Sequence, residues 1–367
     1  MEIAIIGAGP IGSYAGYLLA KSGHNVNIYE RKKEIGKPVQ CTGIFTSDFD
    51  GFSFLNKNKF LVNTINKTEI NFPNGSKIAV NQKEYVVCRT KFDNHLANLA
   101  VTEGAKIFLQ HSFIRKEGEN LVVKDLANDC EKEIKPNIVI AADGPLSSVA
   151  KAYGFYHHQR QHNYGVQALV GGNFDSNTVQ TFFGKDIAPG VFVWVVPESS
   201  TMARVGLATE KDARKYFEKF VQNKDYELLE MQAGTIPIYH PSQELVKDSC
   251  YLLGDAAGFV KATTLGGVIP GMKQAEALVR CLNDSDLDYE EELQPIISRL
   301  KLHLKIRKVH DRFSGEDWEK LATYSNNPKV LKLLNTYTRE NVTTLFRKII
   351  WAEPRMLYFS KYLGEFL

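Results

Sequence analysis

Cysteine is sparse in this chain, with five in 367 residues, at positions 41, 88, 130, 250 and 281. They follow no paired spacing, which argues against a disulfide framework, and no Cys/His cluster has the spacing of zinc ligands. The five read as reduced thiols of an intracellular protein. Long apolar runs are also missing. No segment reaches the roughly eighteen consecutive apolar residues of a spanning helix. The start of the chain lacks the basic region and extended apolar stretch of a signal peptide, so none is expected. Charge of one sign is not in excess either. Lys and Arg number 45 against 42 Asp and Glu, a formal net charge of +3, which gives no general electrostatic footprint for nucleic acid. No internal repeat is visible. What remains is an ordinary globular balance, 44% hydrophobic and 24% charged, with length enough for two domains.

The apolar run Ile3 to Ile6 reads as a buried strand that breaks at Gly7. Residues 13–22 suit a helix, and Val26 to Tyr29 a second strand ending at Glu30. Residues 36–51 read as loop. Short β-like runs occupy 60–62, 69–72, 77–80 and 85–88, with Asn74-Gly75 as a hairpin signal. A helix is expected over 89–102, and strands over 106–109, 121–124 and 138–141. From 156 to 246 the texture alternates, as in an antiparallel sheet, with a helix expected over 211–231. A buried strand at 250–253 and a helix at 270–282 follow, and 290–367 is mostly helical in pattern. The fold class expected is α/β: a Rossmann-like dinucleotide domain, an inserted, mainly antiparallel sheet domain and a helical C-terminal region. The boundaries are 1–60, 89–155 and 247–290 for the first, 61–88 and 156–246 for the second, and 291–367 for the third.

Gly7-Ala8-Gly9-Pro10-Ile11-Gly12 is a G-x-G-x-x-G placed between strand and helix. Gly7 permits the tight turn, Gly9 lets the backbone approach a pyrophosphate, and Gly12 lets helix and strand pack closely. The helix start offers N–H groups and a positive dipole end to phosphates. Glu30 stands where a carboxylate can accept hydrogen bonds from an adenosine ribose. A second group lies far along the chain: Gly254-Asp255-Ala256-Ala257-Gly258 after an apolar strand, then Thr263 to Val268 before a helix. A carboxylate at a strand end can accept a hydrogen bond from a ribityl hydroxyl. Gly266-Gly267 can turn backbone N–H groups toward the pyrimidine side of a flavin. Two ordinary strand-to-helix turns are the plainer account. His157, His158 and His162 have no accompanying ligand set and read as solvated surface. The basic run Arg299 to Arg312 alternates with Leu and Ile, as in an ordinary amphipathic helix or one lying near an anionic membrane.

Taken together, Gly7–Gly12, Arg89 with Phe92-Asp93, Asp143-Gly144 and Gly254-Asp255 resemble the FAD oxidoreductase superfamily typified by para-hydroxybenzoate hydroxylase. Within it, Pro38 to Gly43, Val191 to Pro197 and Gly254 to Val268 resemble the geranylgeranyl reductases, especially the archaeal enzymes that saturate membrane isoprenoids. The resemblance runs in order over roughly residues 1–290. It implies FAD as cofactor. Gly7, Gly9, Pro10, Ile11 and Gly12 would surround the pyrophosphate, and Glu30 and Arg31 the adenosine end. Arg89 would approach the ADP half, Asp143-Gly144 would support the cofactor or its domain, and Gly254-Asp255 the pyrophosphate–ribityl region. Gly266, Gly267 and Val268 would face the flavin ring, with Gln40 and Cys41 beside it. Trp194 and Pro197 would line an apolar cavity. Alone, Cys41 reads equally as a small buried hydrophobe, and Trp194 as core packing. The sequence departs from the family pattern at Thr42, Phe192, Val196 and Leu265.

The resemblance makes Cys41 and Trp194 the candidate catalytic residues. The reaction it implies is addition of a hydride and a proton across an isolated double bond of a polyprenyl lipid. NAD(P)H, ferredoxin or another carrier would supply the electrons. Alternatives are a flavin monooxygenase or hydroxylase, a halogenase, a lycopene-type cyclase, and a flavoprotein that only transfers electrons. The expected setting is the cytoplasm, with a peripheral contact at the inner membrane face as an option. No nucleic-acid partner and no metal are expected.

Overall fold

The computed structural model describes residues 1–156 and 160–362. Its helices are α1 (Pro10–Lys21), α2 (Arg89–Thr102), α3 (Ser148–Ala152), α4 (Ala213–Val221), α5 (Val268–Asn283), α6 (Tyr289–His310), α7 (Gly315–Ser325), α8 (Pro328–Thr336) and α9 (Val342–Ala352). The chain divides into two compact units. One holds Met1–Val39, Arg89–His162 and Thr235–Leu300; the other holds Gln40–Cys88, Asn163–Gly234 and Lys301–Leu367.

The first unit is built on a six-stranded sheet in the order Val246–Lys247, Cys250–Leu252, Ile138–Ala141, Glu2–Ile6, Asn25–Glu30 and Lys106–Leu109. All neighbours are parallel except the first pair. Ile3 to Ile6 are all buried, so both faces of this strand are covered, which is why it is continuously apolar and not alternating. The register sets Ile3 opposite both Ile138 and Val26, so the strand ends at Ile6, Glu30 and Ala141 lie side by side. A small antiparallel sheet of His111–Glu117, Asn120–Asp125 and Cys130–Ile134 belongs to the same unit. Only its middle strand is apolar, and the flanking Cys130–Ile134 is almost wholly exposed. Hydrophobic pattern gives no sign of such a strand.

The second unit carries a seven-stranded sheet in the order Glu227–Pro237, His162–Gly171, Met202–Thr209, Val193–Pro197, Thr178–Phe182, Lys67–Asn71 and Lys77–Val80. One face buries Ala168, Val170, Val193, Val195, Val205 and Leu207 under Ala213 and Phe217 of α4. The helix expected over 211–231 is therefore only partly present. It stops at Val221, and Glu227–Pro237 forms the edge strand instead. Glu-Leu-Leu-Glu-Met suits either period, and an available sheet edge decides it. Residues 36–51 are likewise not all loop. Ile44–Thr46 pairs with Glu84–Val87, which brings residues 40–60 into this unit and not into the nucleotide unit. The C-terminal helices also belong here: Phe313, Trp318 and Phe359 share a core with Phe72, Ile78 and Val80.

His310 packs its imidazole against Phe313 and Trp318, with ring centroids 5.1 and 5.7 Å away. Burial, aided by the nearby Arg307 charge, lowers its pKa to about 4. The unfolded chain protonates this ring near pH 6.5, so His310 favours folding above that pH. Its contribution is lost as pH falls from there toward 4, by up to about 3 kcal/mol. Urea titrations at pH 7 and 4.5 should show this loss, and His310→Phe should make it smaller. An unchanged difference between the two pH values would show that His310 is not responsible.

Candidate functional site

The turn after the first strand is shaped by three glycines with different reasons. Gly7 has φ +105°, and a Cβ there would lie 2.4 Å from the Ala142 carbonyl oxygen. A Cβ on Gly12 would come within 2.0 Å of the Gly7 carbonyl oxygen. Gly9 is different: nothing lies within 4 Å of where its Cβ would be. No packing demand from the protein explains it, whereas a ligand approaching the backbone does. Gly9 is also the N-cap of α1, Pro10 opens the helix, and no side chain caps it. Glu30, at the end of the adjacent strand, is buried and accepts the Ala8 and Lys32 N–H groups, each at 2.9 Å. It braces the turn while keeping acceptor capacity for a ribose. Arg31, the next residue, is exposed.

The distant Gly254-Asp255 motif converges on the same helix start. The Ile11 side chain lies 3.0 Å from a Cβ position on Gly254 and 2.8 Å from one on Gly271, so it wedges α1 against the first turns of α5. Gly254 itself has φ +60°. Gln274, fully buried on α5, accepts the Gly254 N–H and donates to the Leu252 carbonyl, both at 2.9 Å, which fixes the strand end. Asp255 Oδ1 lies 3.0 Å from a Cβ position on Gly267, the N-cap of α5, with Val268 opening the helix. Among the described residues no hydrogen bond reaches the Asp255 carboxylate. Burial pushes its pKa up, against the pull of Arg89 and Arg160. Arg89 is held by a two-point pair with Asp93, at 3.0 and 3.1 Å. Leu265 occupies the left-handed region at φ +59°, a strained placement for a side chain, beside the Gly266-Gly267 turn.

Asp143 differs from Asp255. Its oxygens accept from the Ser147 hydroxyl, from Ser148 N–H at 2.8 Å and hydroxyl at 3.2 Å, and from Val149 N–H at 3.2 Å. It anchors the start of α3, and Gly144 follows at φ +87°. The structure thus gives this pair a supporting role in the nucleotide unit.

In the second unit, the segment bearing Gln40 and Cys41 lies against the seven-stranded sheet. Gln40 is exposed and donates to the Ala233 carbonyl at 3.0 Å. The half-buried Cys41 sulfur accepts the Gly43 N–H at 3.4 Å. Trp194 stands on the sheet face opposite α4, over Gly206, where a Cβ would meet the indole at 2.7 Å. It is not sealed in core. Its Nε1–H donates to Gln167 Oε1 at 3.3 Å, and the Thr42 hydroxyl donates to the same oxygen at 2.9 Å. Gln167 in turn donates to Gln232 at 2.6 Å, and Arg204 donates to that Gln232 oxygen at 3.0 Å. One amide therefore ties the Cys41 segment to Trp194.

A family model described as FAD binding domain matches residues 1–227. The digeranylgeranylglycerophospholipid reductase of Methanocaldococcus jannaschii is 31% identical over 359 residues, covering 88% of this chain and 89% of that protein. This chain belongs to that reductase family of FAD-binding oxidoreductases. A solved geranylgeranyl bacteriochlorophyll reductase-like structure from Thermoplasma acidophilum shares the fold, with TM-score 0.80, 19% identity and 98% of each chain covered. So does a flavin-dependent halogenase, with TM-score 0.70, 15% identity and coverage of 97% of this chain and 78% of that one.

The residues of this family member fit FAD: an open Gly9, an uncapped helix start, and a half-buried carboxylate at Asp255 that receives no hydrogen bond from the described residues. Four contributors, Arg160, Lys261, Gln167 and Gln274, are not apparent in the sequence. Arg160 donates to the carbonyls of Asp255 and Ala256 and to Tyr156. It follows His157 and His158, which lie outside the described residues. His162 is partly buried, and desolvation lowers its pKa, so it is not the solvated histidine expected. Lys261 is buried with its ammonium 3.3 Å from a Cβ position on Gly266. It puts a cation at the turn expected to face the flavin. Gln167 and Gln274 are the other two. Their one sequence signal is an uncharged amide on an otherwise apolar strand or helix face.

Proposed function

We propose that this protein reduces carbon–carbon double bonds of a geranylgeranyl or other polyprenyl lipid. The observation that carries the reading is the 31% identity to an archaeal digeranylgeranylglycerophospholipid reductase across 88% of the chain. Bound FAD, once reduced, supplies the hydride equivalent. The residues of the first unit hold it: the Gly7–Gly12 turn takes the pyrophosphate, Glu30 the adenosine ribose, Asp255 the ribityl chain, and Gly266-Gly267 with Lys261 the pyrimidine side. A cation and N–H dipoles there favour the reduced, more negative ring. In the second unit, Trp194 offers an aromatic wall to an apolar chain, and Cys41 is the candidate to hold or relay the proton. An isolated double bond is unactivated, so the contribution of these residues is positioning and exclusion of water. The electrons come from NAD(P)H, ferredoxin or a similar carrier.

The test is anaerobic incubation of the reduced holoprotein with an unsaturated prenyl glycerolipid, followed by mass spectrometry. The expected product is heavier by two hydrogen atoms per bond saturated. A product that gains oxygen when air is admitted, with no saturation under anaerobic conditions, would move the assignment to a monooxygenase. Release of FMN, or of no flavin, from folded preparations would remove the cofactor assignment itself.

A further inference from the structure

Helix α9 buries Val342 and packs against α8 and the turn Pro354–Tyr362 that follows it. Its outer face carries a tryptophan, Trp351, which is 90% exposed. Arg347 and Lys348, both exposed, stand four and three residues before it, so the indole sits between two cations on one helical face. Phe346 and Leu357 add apolar surface, at 38% and 54% exposure.

The chain segment that carries this tryptophan is basic. Residues 326–362 contain two carboxylates, Glu340 and Glu353, and both are buried. Glu353 is taken up by Arg355 and Asn327. Arg339 pairs with Glu84, and Lys361 with Asp317. Lys329, Lys332, Arg347 and Lys348 are exposed, and no carboxylate among the described residues pairs with them. A chain of net charge only +3 has thus gathered positive charge without carboxylate partners in the segment of Trp351, the most exposed aromatic among the described residues.

We infer that α9 and the turn after it dock this protein on an anionic lipid surface, with Trp351 at headgroup depth and Lys329, Lys332, Arg347 and Lys348 facing lipid phosphates. Tryptophan, with an apolar ring and one N–H donor, favours the membrane interface, and basic neighbours add attraction to anionic headgroups. A nucleic acid would use the cations but gives no reason for Leu357 and Phe346. A protein partner would have to be acidic around an apolar pocket. The described helices include none long and apolar enough to cross a membrane, so the contact is interfacial. The basic helix α6 is the weaker candidate from sequence, because His303 and Arg307 point into the protein. This inference goes beyond the proposed reaction and stands on different residues.

The test uses the full-length, flavin-loaded protein and extruded vesicles. Sedimentation with vesicles containing phosphatidylglycerol should carry the protein down, and pure phosphatidylcholine vesicles should do so at least about tenfold more weakly. Raising the salt should release it. Trp351→Ser and the pair Arg347→Glu, Lys348→Glu should each weaken binding about tenfold or more while flavin content and melting temperature stay unchanged. Tryptophan emission should shift to the blue on anionic vesicles, and this shift should vanish in Trp351→Phe. Equal binding to both vesicle types, or binding unaffected by these substitutions, would overturn the inference, as would preferential retention on DNA or RNA. The vesicles need contain no prenyl substrate. Failure of the reductase reading would leave this result standing, and conversely.

Discussion

Replacing Gly9 with valine leaves the apoprotein folded but empties it of FAD, whereas the smaller change Gly12→Ala damages the fold itself. The contrast follows from where each Cβ would go. At Gly9 the backbone is extended, at φ −67° and ψ 177°, which any residue adopts, and apart from its chain neighbours no described atom lies within 4 Å of the new carbon. The apoprotein therefore has no reason to notice valine. A pyrophosphate lying against the start of α1 does, because the isopropyl group takes the space that the phosphate oxygens need. At Gly12 the new methyl would sit 2.0 Å from the Gly7 carbonyl oxygen, a backbone atom that cannot step aside without moving the turn. Overpacking of that kind costs roughly 1–3 kcal/mol, and the helix start moves with it. Two measurements separate the cases: flavin released by denaturation, and melting temperature of the protein stripped of flavin. Gly9→Val that still carries a full complement of FAD would show that the open space at Gly9 is not a phosphate site.

Local chemistry explains which parts of this fold were legible beforehand. The first strand, the glycine turn, α1 and the strand to Glu30 form one contiguous unit. Each part has a short-range reason, from an apolar run through Pro10 to a closing carboxylate, so the sequence pattern and the structure coincide there. The edge strand Glu227–Pro237 was not legible, because its pairing with His162–Gly171 joins segments roughly sixty residues apart. The strand Cys130–Ile134 was hidden for a different reason. It buries almost nothing, so its place depends on backbone pairing with Asn120–Asp125 and not on side-chain pattern. In the site, the residues proposed to touch the ligand carry motif signatures. Those that hold the motif residues do not: Gln274 grips the strand end before Asp255, and Gln167 grips Trp194 and Thr42. A glutamine within an apolar stretch has many uses, and only the partners at both ends of its amide reveal this one. Leu265 shows the converse. In the sequence it interrupts a glycine run; in the structure it occupies the left-handed backbone conformation a glycine would take there, and the strain is borne where the site needs its turn.

Asp143 and Asp255 end two adjacent strands of one sheet and look interchangeable in sequence, yet their alanine variants should fail in opposite ways. The Asp143 carboxylate accepts four donors from Ser147, Ser148 and Val149. Removing it leaves the hydroxyl of buried Ser147 and the N–H of buried Val149 at the start of α3 without this acceptor, at about 1–3 kcal/mol in stability. Asp143→Ala should lower the melting temperature of the apoprotein, and flavin affinity should fall only as far as the unit loosens. The Asp255 carboxylate receives no hydrogen bond among the described residues, and burial already disfavours its charged form. We propose that its cost in the apoprotein is offset on binding by the hydroxyl donors of a ribityl chain. Asp255→Ala should therefore keep the apoprotein melting temperature or raise it, since a poorly solvated carboxylate is removed. FAD affinity should drop by about 1.5–3 kcal/mol, roughly ten- to a hundredfold in Kd. Asp255→Asn, which keeps one acceptor oxygen, should fall between the two. Titration of each apoprotein with FAD, beside its thermal melt, reads both effects. If Asp255→Ala destabilised the apoprotein while binding FAD as tightly as the unaltered chain, Asp255 would be a turn residue like Asp143, and the ribityl chain would have to be held elsewhere.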